Sequence, residues 1–149
     1  MERFFRLLAG FVVAVILAEV LAALASTQFV LAELGQLGID VSIGDRLAMS
    51  LHDIAGMLPL YGGIIAATYL IALPVAAWLA RRAPQRRSAL FFAAGFVGLL
   101  TAITLMRFAF DIMPIAGARS FAGLVTQGLA GGAAALVFLL PVFQSDGRA

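Results

Sequence analysis

The sequence predicts an all-α membrane protein: a four-transmembrane-helix bundle with an amphipathic interfacial helix between spans 1 and 2. Three observations predict it. Of 149 residues, 63% are hydrophobic and 12% charged, with a mean hydropathy of +1.06; a soluble domain is about 45–50% apolar and about 25% charged. Four apolar stretches, at 7–25, 60–80, 89–106 and 120–140, approach the length needed to cross a hydrocarbon core of about 30 Å. Between the middle two lies the run Arg-Arg-Ala-Pro-Gln-Arg-Arg at 81–87, holding four of the ten cationic residues. A short arginine-rich loop between two apolar spans marks the cytoplasmic side.

The composition also excludes function classes. A formal charge of +2 is too small to suggest nucleic acid as a partner, and the arginines belong to membrane flanks rather than to a binding face. The chain has no Cys, which removes disulfide exchange, thiolate ligation and Cys nucleophiles. Every cation is Arg. No motif implies a cofactor. With no internal repeat, low-complexity tract or second domain, residues 1–149 read as one integral membrane domain.

Arg3 and Arg6 precede the first span, 7–25, which is apolar except for Glu19. Nineteen residues reach about 28 Å as a helix. Ala23-Leu24-Ala25 before Ser26 also has the small-x-small form of a signal-peptidase site, although the apolar run exceeds the 7–15 residues of a usual signal core. Both readings of residues 1–25, retained span or cleaved signal, stand at this point. Segment 26–58 carries Glu33, Asp40, Asp45 and Asp53 against Arg46 alone. Ser42 and Asp45 are candidate helix caps. Leu47, Leu51, Ile54 and Leu58 then recur on one helical stripe, with Arg46, Met49, His52, Asp53 and Gly56 opposite. A helix at 43–58 with so narrow a stripe suits the membrane interface or the outer end of the bundle, and the apolar 28–37 should hug the membrane beside it.

Pro59 is expected to end that helix and open the second span at 60–80, as proline suits a first helical turn. Pro74 should kink the span. Tyr61 and Trp78 lie near its two ends, where interfacial aromatics belong. After the arginine turn come span 89–106, closed by Arg107, a short outer loop with Asp111, Pro114 and Gly117, and span 120–140, stopped by Pro141. The tail 144–149 is polar. This topology places both termini in the cytoplasm of a bacterial cell, within the inner membrane. Seven arginines (Arg3, Arg6, Arg81, Arg82, Arg86, Arg87, Arg148) fall inside and three (Arg46, Arg107, Arg119) outside, as the positive-inside bias requires.

Glu19 is the first candidate site. It lies about 18 Å beyond Leu7 along a helix, past the midplane, where an acid costs about 2.5–3.5 kcal/mol on insertion scales. It should therefore face other helices or water, sharing a side with Val15, Ile16, Ala22, Ala23 and Ser26, and burial should favour its neutral form. One reading is a proton or cation site; the other is a hydrogen-bonded structural acid. The string Ile16-Leu17-Ala18-Glu19-Val20 resembles the first span of small multidrug-resistance transporters. That resemblance implies a Glu19 that alternately binds protons and cationic drugs. It covers five residues, and the chain departs from that family in the long segment between its first two spans.

Arg107 and Arg119 bracket the outer loop as candidate anion or headgroup contacts, with Ser120 at the following helix start; Arg107 could alternatively reach toward Glu19. Asp45, His52 and Asp53 form a candidate outer-face polar site. A lone His with two acids is a poor zinc set, so no metal is predicted. Gly128 with Gly132, Gly63 with Ala67, and Ala94 with Gly98 show small-x-x-x-small spacing and mark packing surfaces, inside the bundle or between subunits. Thr101, Thr104, Thr126 and Gln127 are candidates for hydrogen bonds between helices.

Three functions follow. The leading one is a non-catalytic subunit, assembly or lipid-contacting protein acting through helix packing, with the lipid bilayer and another membrane subunit or itself as partners. The alternatives are a small proton-coupled transporter centred on Glu19, and a membrane enzyme or quinone- or lipid-binding protein using His52 and Asp53.

Overall fold

The computed structural model describes residues 1–110 and 115–140, Phe110 by its backbone alone. Among these the protein is entirely helical: α1 (Glu2–Gln36), α2 (Ile43–Met57), α3 (Gly63–Arg82), α4 (Arg87–Phe110) and α5 (Phe121–Val137). A five-residue π turn at Leu58–Gly62 joins α2 to α3, and single 3-10 turns occupy Pro84–Arg86 and Ala116–Ala118. Three helical stretches are long and apolar enough to cross a membrane: Glu2–Gln36, Ile43–Arg82 and Pro84–Ala109. The 17 residues of α5 reach about 26 Å, at the lower limit of a spanning helix. The Ser120 hydroxyl caps its start, accepting the Gly123 N–H at 3.0 Å. Its end tightens into i→i+3 bonds at Phe138, Leu139 and Leu140, three residues short of the expected limit. Pro141, the tail 144–149, Asp111 and Pro114 lie outside the described residues.

The first correction concerns α1. Instead of stopping near Ala25, it runs 35 residues, about 52 Å, some 20 Å more than a hydrocarbon core needs. Ser26 and Thr27 end the hydropathy of the span without ending its backbone, because both side chains are held by packing. Ser26 Oγ accepts the Gly117 N–H at 3.0 Å. Thr27 donates to Asp53 Oδ2 at 2.6 Å, with the Ala23 carbonyl 3.0 Å away. The Ala23-Leu24-Ala25 string is helical, with Ala23 buried. The chain turns only at Gly38, whose φ of +77° is one that glycine tolerates without a Cβ clash.

The helix α2 starts with a reciprocal cap: the Asp45 N–H donates to Ser42 Oγ at 3.2 Å and the Ser42 hydroxyl to Asp45 Oδ2 at 2.6 Å. Asp45 stands at the third helical position, so its N–H is one of those the helix itself leaves unpaired. α2 returns antiparallel to the end of α1, so the two form a helical hairpin. Its inner edge is Ser50, Asp53 and Met57, whereas Leu47 (62% exposed) and Leu51 (68%) face outward. The leucine stripe is real, but it is the outward side.

Pro59 is the second correction. It does not separate α2 from α3; helical backbone continues through it as the π turn. A proline ring crowds the carbonyl four residues back and offers no N–H, and a wider turn accommodates both. That turn carries Tyr61 and Gly62 inward, and both are buried. Tyr61 is therefore a core residue, 3% exposed, and not an interfacial aromatic. Trp78 does lie at the surface, with the Arg82 guanidinium 4.4 Å above its ring. Pro74 lies within a helix that continues to Arg82.

The packing order is α1–α5–α4–α3. α4 and α5 meet most closely, where the backbones of Gly95 and Gly131 touch. Phe92 and Phe96 cover Gly132 and Gly128: a Cβ on either glycine would lie 2.8 Å and 2.9 Å from their ring carbons. Gly98 similarly takes Thr68 and Ala72 of α3. Small residues let helix backbones approach, which is how helices associate where lipid supplies no hydrophobic drive. α1 and α3 touch far less. They meet at the π turn and diverge toward the arginine turn.

Candidate functional site: a buried acid and an arginine-rimmed groove

Glu19 is fully buried, and neither carboxyl oxygen has a hydrogen-bond partner. It lies against the π turn, where a Cβ added to Gly62 would be 3.7 Å from its Cγ. Its predicted neighbours divide as a helix face should: Ala22, Ala23 and Ser26 are buried, Val15 is half-buried and Ile16 is exposed. An ionised carboxylate without partners is costly in such a place. Arg107 does not reach it, and the suggested pair does not form.

Beside Glu19 runs a chain of bonds linking three helices. The Tyr61 hydroxyl of the π turn donates to Gln127 Oε1 of α5 at 2.9 Å. Gln127 Nε2 donates to the Ala22 carbonyl of α1 at 3.0 Å. Two turns further along α3, the Tyr69 hydroxyl donates to the Gly131 carbonyl at 2.5 Å. All three side chains are buried. Neither tyrosine was foreseen in this role, although Tyr61, Ile65, Tyr69, Leu73, Ala76 and Ala80 recur at helical spacing and all are buried. That periodicity was the available signal.

The outer polar residues do not converge. Asp53 turns toward α1 and Thr27, His52 is exposed, and Asp45 is engaged by its cap. Among the described residues, no three His, Cys, Asp or Glu side chains come together as a metal site. Arg107 and Arg119 are both exposed, Arg107 beside a cleft of about 350 Å³ with Ile103, Thr104, Phe108 and Leu124. Of the small-residue pairs, Gly128, Gly132 and Gly98 pack between helices, Ala94 is half-buried against the core, and Gly63 and Ala67 face outward. Thr101 and Thr104 are also exposed, and Thr126 bonds back to the Ala122 carbonyl at 2.8 Å.

At the diverging ends of α1 and α3 lies a groove of about 720 Å³. Its walls are Leu7, Leu8 and Phe11 on one side and Leu73, Pro74 and Ala77 on the other. Phe91 and Phe138 line it too, their rings stacked 6.0 Å apart. Arg3, Arg81 and Arg87 stand at its mouth, and Tyr69 lies at its far end. By sequence alone these arginines signal orientation. Comparison of the chain with protein-family models, with curated proteins and with solved structures finds no match.

Proposed function

We propose that the chain is a multi-pass protein of the bacterial inner membrane, with four spans, both termini and the arginine turn in the cytoplasm, and that it acts without catalysis, as a lipid-contacting or assembly protein, through helix packing. Three spanning-length helices and the apolar α5 support the membrane reading, and the seven-to-three arginine distribution supports the orientation. One observation carries the functional part. The buried side chains of Ser26, Thr27, Tyr61, Tyr69 and Gln127 end on bonds between elements, Tyr61–Gln127–Ala22, Tyr69–Gly131, Ser26–Gly117 and Thr27–Asp53, rather than converging on an open site. Complementation of a deletion strain tests it: Glu19→Gln and His52→Ala should complement, and Gly95→Leu, which wedges α4 from α5, should not. Loss of complementation by either of the first two would overturn the reading.

A second reading has its own observation. Both oxygens of Glu19 are buried without partners, and an intramembrane acid is a standing candidate for proton or cation exchange. In proteoliposomes under an imposed pH gradient, this reading requires a proton flux that Glu19→Gln abolishes. A flux equal to that of empty vesicles would remove it.

A further inference from the structure

We infer that the groove between α1 and α3 holds one anionic phospholipid of the leaflet that faces the arginine turn. The inference deepens the lipid-contacting reading above and rests on it. Charge is the first argument. Arg3, Arg81 and Arg87 all line the groove, and none has a carboxylate partner among the described residues. The Arg87 guanidinium lies 6.0 Å from the ring centre of Phe91, which also lines the groove. Three unneutralised guanidiniums suit a phosphate, which accepts paired N–H bonds from such groups.

Shape is the second argument. From Arg81 to Tyr69, α3 advances twelve residues, about 18 Å. One leaflet is half of a core of about 30 Å, so the groove runs roughly the depth of a single acyl layer. Its lining is aliphatic and aromatic below the arginines, and the Tyr69 hydroxyl at the far end is already satisfied by Gly131. A headgroup anion at one end and a dry apolar trough below it match an amphiphile better than a free anion. The helices leave this trough because α1 packs mainly on α5 and makes few contacts with α3.

Native mass spectrometry of the full chain in a neutral detergent tests the inference. Phosphatidylglycerol and phosphatidylcholine with the same acyl chains are titrated separately. The expected result is retention of one phosphatidylglycerol in preference to phosphatidylcholine. Arg3→Gln, Arg81→Gln and Arg87→Gln together should weaken retention at least about tenfold, each charge near a lipid headgroup being a substantial share of the attraction. The charge-matched set Arg6→Gln, Arg82→Gln and Arg86→Gln should retain it, since none of those three lines the groove. Ala77→Trp, filling the trough, should weaken both lipids. Equal loss in the two arginine sets, no preference between lipids, or equal competition by inorganic phosphate would each overturn the inference. The membrane reading fails separately, if alkaline carbonate releases the chain from membranes.

Discussion

Replacing Glu19 by leucine should make this protein more stable. A buried polar group without a hydrogen bond costs about 1–3 kcal/mol. Glu19 carries two such oxygens at zero exposure. Leucine removes both while retaining a branched apolar chain against Gly62 and the π turn. Part of the gain is offset by imperfect filling of the site, leaving about 2 kcal/mol. For a chain of this length, each kcal/mol moves the midpoint by roughly 2–4 °C, so Glu19→Leu should melt about 4–8 °C higher. Glu19→Gln keeps a polar group of the same length and should shift little. Thermal unfolding in one detergent, at fixed lipid content and followed by circular dichroism, measures both. Destabilisation of both variants by more than about 1 kcal/mol would refute the reasoning. It would mean that the carboxyl holds a proton donor, water or cation that stabilises the fold, in line with the transport reading.

Two further predictions rest on the same packing. Tyr61→Phe and Gln127→Ala should couple in a double-mutant cycle by about 0.6 kcal/mol, and by no more than about 1.7, the range for hydrogen bonds between membrane helices; additive effects would mean that the 2.9 Å contact contributes nothing. Gly131→Ala and Gly63→Ala should have opposite signs. At Gly131 a Cβ would meet the Gly95 carbonyl oxygen at 2.8 Å and Leu99 Cδ2 at 2.9 Å, an overpacking worth about 1–3 kcal/mol. At Gly63 nothing lies within 4 Å, and alanine should gain about 0.5–1 kcal/mol from helix propensity. Chemical or thermal denaturation of the two variants side by side checks this.

The helices were legible where a solvent boundary writes them. Hydropathy marked the apolar stretches because a hydrocarbon core demands about twenty apolar residues, and Ser42 with Asp45 announced a helix start through local hydrogen bonding alone. Gly128 and Gly132 were legible too, since close helix approach selects residues without bulk. The inward faces were harder to read. Lipid and protein interior are equally apolar, so a buried helix shows no polarity contrast to say which side faces its neighbours. Tyr61 looked like an interfacial aromatic for that reason, and the leucine stripe of α2 fitted the membrane interface and the end of the bundle equally well. The continuation of α1 past Ser26 was hidden because a fall in hydropathy need not break a backbone. Pro59 concealed a π turn rather than a stop. The groove had no sequence signature, since it exists only where α1 and α3 diverge.

In the proposed orientation the arginine turn lies inside the cell and the α1–α2 hairpin outside. The chain has no Cys, so single-cysteine labelling is clean. Ala83→Cys, in the turn, and Leu37→Cys, 76% exposed at the hairpin tip, should be treated in intact cells with a membrane-impermeant thiol reagent. The predicted result is labelling at position 37 and none at position 83 until the membrane is opened. Labelling at 83 with protection at 37 would contradict the orientation, and equal labelling of both in intact cells would contradict an odd number of spans between them.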